Sequence, residues 1–181
     1  YLDSIMSGAV RLRQLIKDLL EFSRVGNKRK AEPFTDVDMN DVVRTCLSDM
    51  SSAIADKKID IQAGKLPTVR AAKTQMLRLM ENLIGNAVKF TRKTEKPVIS
   101  ISAEKNGNEW EFCVKDNGIG IAREYQEKIF EIFEKLHSQD EYEGTGIGLA
   151  VCRKIVSQHG GKIRVESREG EGASFYFTLP A

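Results

Sequence analysis

The sequence predicts an α+β fold: short strands mixed with helices, preceded by one long helix. Three observations point there. Residues 1–25 repeat apolar side chains every three or four positions, a polar stretch punctuated by Gly26 and Pro33 breaks that period, and the remainder switches between strand-like and helix-like patterns. At 181 residues the chain has length for one domain plus an additional element.

In the long helix, Leu2, Ile5, Met6, Ala9, Leu12, Leu15, Ile16, Leu19, Leu20 and Phe22 form a wide apolar stripe. Arg11, Arg13, Lys17 and Asp18 fall outside it. Such a helix wants partner helices, and a bundle helix is preferred to a core helix because a polar linker follows at once. The organisation expected is therefore a helix over 1–26, a linker over 27–32 and a domain over 33–181. Within that domain residues 34–38 read as a strand, and Asn40 can cap a helix that runs to position 56. Residues 59–63 and 68–71 read as strands, and 73–90 as a strong helix. Residues 98–104 and 110–115 alternate on either side of Asn106-Gly107-Asn108, a hairpin. Residues 118–144 read as a loop with a short helix inside, and 146–159 as a helix stopped by Gly160-Gly161. Residues 162–167 and 174–179 close the chain as strands.

Composition narrows the function. Hydrophobic residues at 41% and charged residues at 30% match a globular protein, and no apolar run reaches the roughly 20 residues of a membrane span. Direct membrane contact is not expected. Net charge is +2 and spread along the chain; the one tight cluster, Lys28-Arg29-Lys30, reads as solvated linker, so nucleic acid is not an expected partner. Cys46, Cys113 and Cys152 are far apart and form no CxxC, which predicts buried free thiols in a reducing cytoplasm. Tyr1 starts in mid-helix without a signal-peptide pattern, as in a fragment of something longer.

Three constellations carry chemistry. In the helix over 73–90, a turn of roughly 100° per residue puts Leu77, Met80, Ile84, Ala87 and Val88 on one side and Asn82, Asn86 and Lys89 on the other. Amide oxygens suit a hard cation such as Mg²⁺, and a lysine one turn on can meet a phosphate; an ordinary solvated face fits this helix equally well. Next, Asp116-Asn117-Gly118-Ile119-Gly120-Ile121 follows directly on a strand. A carboxylate at a strand end followed by glycines can accept a hydrogen bond from an adenine amino group, although Asn-Gly is also a plain turn signal. Last, Gly144-Thr145-Gly146-Ile147-Gly148-Leu149-Ala150 opens a helix whose free N–H groups favour phosphate. It lacks the Gly-Lys-Ser/Thr of a P-loop, the preceding buried strand of a dinucleotide fold, and the downstream His-Arg-Asp of a eukaryotic-type kinase.

In this order the three stretches resemble the N, G1 and G2 boxes of histidine kinase catalytic domains, members of the gyrase–Hsp90–histidine kinase–MutL ATPase superfamily. Asn82 to Thr91 is similar to the N box, Ile129-Phe130-Glu131-Ile132-Phe133 to the F box, and Gly170-Glu171-Gly172 ahead of Phe175 and Leu179-Pro180 to the closing glycine motif. Residues 1–25 resemble the second helix of the dimerisation and phosphotransfer hairpin. The resemblance implies a two-layer α/β sandwich of Bergerat type, a mixed sheet packed on helices. It implies ATP and Mg²⁺ as ligands, with Asp116 on the adenine, Asn86 on Mg²⁺ supported by Asn82, Lys89 on phosphate and Phe90 lining the pocket. Gly118 and Gly120 would shape the adenine side with Ile121, and Gly144, Gly146 and Gly148 would hinge a lid with Thr145, Ile147 and Leu149 between them. Lys135 stands where the family often has Arg, able to balance γ-phosphate charge as a point charge. Ala173 stands where Thr is usual, leaving Ser174 as the nearby hydroxyl. Hydrolysing relatives carry a basic Glu where Asn82 stands, and Glu81 is turned about 100° away by the helix, so phosphoryl transfer is implied over hydrolysis.

The implied reaction passes the ATP γ-phosphate to a histidine and onward to a response regulator receiver domain, in a cytoplasmic protein that dimerises at full length. No His-acidic motif is present; His137 reads as a polar contact near the lid and His159 as a helix end favourable to the dipole. This stretch is therefore expected to bind Mg-ATP without phosphorylating itself. Two alternatives stay open: a non-catalytic ATP-binding scaffold, and a serine kinase of anti-sigma type, against which the first helix argues.

Overall fold

The computed structural model describes residues 2–25, 32–92, 96–134 and 144–181. Helix α1 (Leu2–Arg24) leads into β1 (Thr35–Asp38), α2 (Met39–Asp49), α3 (Ser51–Asp56), β2 (Asp60–Ala63), β3 (Thr68–Ala71) and α4 (Lys73–Lys89). The hairpin β4 (Val98–Asn106) and β5 (Glu109–Asp116) follows, then two 3-10 turns (Arg123–Tyr125 and Lys128–Phe130), α5 (Gly148–Gln158), β6 (Ile163–Arg168) and β7 (Gly172–Pro180).

Five strands form one sheet in the order β2-β4-β5-β7-β6, with β2 parallel to β4 and every other pair antiparallel. β1 and β3 pair separately. Helix α4 packs between α2 and α5 and on β4 and β5, so helices cover one face of a mixed sheet, the expected two-layer sandwich. Alternation sets the core: Phe112 and Val114 of β5 point to the helices, and Phe112 stacks on its cross-strand partner Phe177 at 4.8 Å. The same period places Asp116, last residue of β5, on the buried side.

Several expectations need correction. Asp38, not Asn40, caps α2: its Oδ1 accepts from the Asn40 N–H at 2.8 Å. The Asn40 side chain instead clamps Leu66, donating to its carbonyl and accepting from its N–H. The single helix expected up to 56 breaks at Met50 among the weak helix formers Asp49, Ser51 and Ser52. Helix α5 starts at Gly148, because Gly146 has φ +74. Helix α4 has no side-chain cap of its own residues; the Glu32 carboxylate takes the Thr74 N–H and hydroxyl. Its buried face is wider than expected, with Met76, Leu79 and Leu83 fully inside and Leu77 half-buried beside α2, because it has neighbours on both flanks. Cys46 and Cys152 are buried free thiols pushed up to about 12 by desolvation, but Cys113 is only half-buried, since alternation turns it to the outer face.

The largest departure is α1. Met6, Leu12, Ile16, Leu19 and Leu20 of its apolar stripe are exposed, whereas Asp18, expected outside, is only 7% exposed. The helix lies on α5 through Leu15, Phe22 and Val25, with Lys154 donating to the Phe22 carbonyl at 2.7 Å and sitting 4.2 Å from its ring centre. Among the described residues no helix is long and apolar enough to cross a membrane. The linker positions 26–31, Lys135 and His137 lie outside the described residues.

Candidate functional site

A cavity of about 320 Å³ opens between α4, the end of β5 and the glycine loop before α5. Asn82, Asn86, Lys89, Phe90, Asp116, Gly120, Ile121, Gly144, Thr145, Gly146, Gly148 and Leu149 line it. The three constellations, separate in sequence, therefore share one enclosure.

The first part of the wall centres on Asp116. Its Oδ1 accepts from the Gly118 N–H at 2.8 Å and from the Ala173 N–H at 3.4 Å. Both bonds fall on Oδ1, and Asp116 remains part of the cavity wall. Burial pushes its pKa above the usual carboxylate value, against the pull of those two N–H donors. Gly118 stands behind the carboxylate rather than in the cavity. Gly120, at φ +72, runs so close to the Arg168 carbonyl that a Cβ would overlap it. The β6–β7 hairpin braces this loop: Gly170 donates to Ile119, and Ile121 donates to the Ser167 hydroxyl. Ile129 and Phe175 add apolar wall, and Phe130 meets Phe175 edge-on at 6.4 Å. The remaining F-box pair, Ile132 and Phe133, is exposed, and the Phe133 N–H bonds the Gly146 carbonyl.

A second part is built by α4 and the glycine loop. Asn82 donates its amide to the Arg78 carbonyl at 2.8 Å, which leaves Oδ1 directed at Gly148. A Cβ on Gly148 would collide with that oxygen. The Lys89 ammonium lies 4.5 Å from the Phe90 ring centre and 2.9 Å from where a Gly144 Cβ would stand. Glycines thus let the loop backbone approach an amide and an ammonium that a side chain would hold off. Among the described residues no group of three His, Cys, Asp or Glu could hold a metal ion. Side-chain oxygen donors on the wall include the amides of Asn82 and Asn86 and the carboxylate of Glu81 on α4, with Asp18, Asp116 and Glu134 from other elements; the two amides, one helical turn apart, fit Mg²⁺ with waters completing its shell.

Besides Gly118, two further predicted positions are not brought in. Ile147 is fully buried beneath the loop as core. Ser174 does not line the cavity; β7 alternates, so Ala173 does, while Ser174 pairs with Lys115 along the sheet. Sequence reasoning missed Gly85, Ile119, Glu134 and Phe175 as wall residues, and Glu81, which reaches the cavity edge beside Arg78 at 3.7 Å. It also missed Asp18. That α1 residue lines the cavity, its Oδ2 accepting from the Thr145 hydroxyl at 2.5 Å. Its Oδ1 accepts from Gln14 at 2.8 Å and from Arg78 at 3.3 Å. No local pattern in α1 announces this, since the partners are distant in sequence.

His159 belongs elsewhere. Its Nε2 accepts from the Ala72 N–H at 3.1 Å, so Nδ1 carries the proton facing the Ile155 carbonyl at 2.8 Å. The ring stacks on Phe34 at 4.4 Å and burial pulls its pKa below the usual imidazole value. It therefore serves the helix end as a neutral donor rather than as a cation, and both nitrogens are engaged.

Comparison with known proteins agrees with this geometry. Residues 71–181 match the family described as histidine kinase-, DNA gyrase B-, and HSP90-like ATPase. Cyanobacterial phytochrome A of Nostoc sp. is 45% identical over 97% of this chain and 22% of its own length. The catalytic domain of histidine kinase ThkA is 33% identical with a TM-score of 0.69, covering 81% of this chain and 95% of that one. Full-length ShkA in complex with AMPPNP superposes with a TM-score of 0.81 at 29% identity, covering 99% of this chain and 38% of that one. The chain spans about a quarter or less of the phytochromes it matches.

Proposed function

Because the chain belongs to the histidine kinase-, DNA gyrase B-, and HSP90-like ATPase family, we propose that it is the ATP-binding catalytic domain of a sensor histidine kinase. Its work is to move the γ-phosphoryl group of ATP onto a histidine of a separate helix, for onward transfer to a response regulator receiver domain. One observation carries this: a buried carboxylate and a row of amides with an ammonium share a single cavity with a glycine loop.

Each residue then has a physical task. Asp116 accepts the adenine amino group, a match that an acceptor-only carboxylate makes and a carbonyl-bearing base edge does not. Phe90, Ile121, Leu149 and Phe175 give the ring apolar walls. Lys89 and the loop N–H groups meet the phosphates. Asn86 and Asn82 hold Mg²⁺, which when bound neutralises phosphate charge. Lys135 adds a cation to the γ-phosphate side. The cavity has no base in the place of Asn82, which favours transfer over hydrolysis. The phosphoryl group leaves the β-phosphate oxygen, which stays on ADP, and forms a P–N bond with the unprotonated imidazole nitrogen, while the other ring nitrogen gives up its proton. The exposed apolar face of α1, with Met6, Leu12, Ile16, Leu19 and Leu20, supports pairing with further helices in a full-length homodimer. The free thiols support a cytoplasmic setting.

Calorimetric titration with Mg-ATP tests the reading. The unaltered chain binds and Asp116→Ala does not; absence of heat in the unaltered chain refutes it. Incubation with γ-labelled ATP leaves the chain unlabelled, since His159 has both nitrogens bonded and neither His137 nor His159 is followed by an acidic residue. Stable label on this chain would place the acceptor here instead.

A further inference from the structure

The wall of the cavity includes one residue from outside the matched family region, Asp18 of α1. We propose that Asp18 couples α1 to the cavity, so that docking of α1 on the catalytic domain and binding of a phosphate-bearing nucleotide oppose each other. The proposal rests on the nucleotide reading above.

The docked position of α1 combines half-buried apolar side chains, Leu15, Phe22 and Val25, with specific polar bonds. The helix leaves Met6, Leu12, Ile16, Leu19 and Leu20 in water and buries a carboxylate instead. Burying a carboxylate is costly unless each oxygen is paired. Here both are: Oδ2 by the Thr145 hydroxyl, Oδ1 by Gln14 and by the Arg78 guanidinium. Two of those three partners, Thr145 and Arg78, belong to the glycine loop and to α4, the same two elements that build the phosphate side of the cavity.

A nucleotide changes that balance. Phosphates bring negative charge into a low-dielectric space whose wall already holds a carboxylate, and like charges there repel strongly. They also compete for the Thr145 hydroxyl and draw on the Arg78 guanidinium, the two groups that make the buried Asp18 tolerable. With those partners diverted, docked α1 keeps, among the described residues, its contacts with α5: the Phe22 carbonyl and ring against Lys154, with Leu15 and Val25. Linkage makes the coupling reciprocal: the factor by which nucleotide weakens docking is the factor by which docking weakens nucleotide binding, so loosening α1 tightens nucleotide up to that factor.

The whole chain can be tested with Mg²⁺ and a nonhydrolysable ATP analogue. Asp18→Asn removes the charge while keeping an oxygen for Thr145. Phe22→Ala weakens docking without touching the cavity. Calorimetry is expected to show about fivefold tighter binding in each variant. Hydrogen exchange on the unaltered chain is expected to show α1 amides less protected at saturating nucleotide. Unchanged or weaker binding in Asp18→Asn overturns the proposal, as does unchanged α1 protection. A gain in Asp18→Asn without one in Phe22→Ala reduces Asp18 to a local charge and overturns the coupling. Should Asp18→Asn fail to fold, Phe22→Ala and the exchange experiment decide alone. If neither the chain nor any variant binds nucleotide, the nucleotide reading fails and this proposal with it; if all bind equally, only this proposal fails.

Discussion

Replacing Asp116 by Asn separates binding from folding. The carboxylate accepts the Gly118 and Ala173 N–H groups through Oδ1, and an Asn can present its amide oxygen to the same two donors. The other carboxylate oxygen becomes an NH₂, so the acceptor proposed to meet the adenine amino group turns into a donor. A hydrogen bond to a charged group contributes about 1.5–3 kcal/mol, and at about 1.4 kcal/mol per tenfold its loss weakens nucleotide affinity roughly 10- to 150-fold. Stability moves the other way. Burial raises the Asp116 pKa above the usual carboxylate value, so the ionised form is a cost to the fold at neutral pH, and that cost fades as pH falls through the raised value. A neutral amide carries no such penalty, so the thermal midpoint of Asp116→Asn is unchanged or higher. Calorimetry with Mg-ATP and a thermal melt without nucleotide read the two effects. Affinity kept within twofold, or a melt lowered together with affinity, would refute the assignment of Asp116 to the base.

Other outcomes follow from the same geometry. Gly148→Ala drives a Cβ into the Asn82 amide oxygen, so the Mg²⁺-dependent part of nucleotide affinity falls while binding measured without Mg²⁺ changes less; magnesium titrations of both chains compare the two. His159 has a folded pKa below the usual imidazole value, so its contribution to stability is present above that usual value and is lost as pH falls through the lowered folded one. Urea midpoints across that range decline for the unaltered chain and stay flatter for His159→Gln. Phe112→Ala removes one ring of the stack with Phe177 and costs about 3–5 kcal/mol, read as a lower urea midpoint without a selective effect on nucleotide.

What was legible in the sequence was local. β3 falls where its alternation places it, and Asn82, Asn86 and Lys89 reach one cavity because a helix repeats at three and four residues. Asp116 was legible because strand, carboxylate and glycines are contiguous. What escaped depends on partners far along the chain. Periodicity told which side of α1 is apolar, but not which side another element would cover; Asp18 is buried because Thr145 and Arg78 meet it. Asp38 and Asn40 are both good caps, and Leu66 decides between them by occupying the Asn40 amide. Ser174 drew attention for its hydroxyl, yet the register of β7 against β5 presents Ala173 to the cavity.

The strand order also bears on when the site can exist during synthesis. β5 is the middle strand, and one of its two neighbours, β7, is the last element of this chain. Translation delivers the amides of α4 and the carboxylate of Asp116 well before Ala173, whose N–H completes the bonding of that carboxylate. Until β7 emerges, β5 is an edge with unpaired backbone groups, and β6 has no partner in the sheet. The half-made domain is thus sticky and blind to its ligand, and a stop codon inside the nine-residue β7 bares β5 and detaches β6 as well, rather than trimming one rim strand.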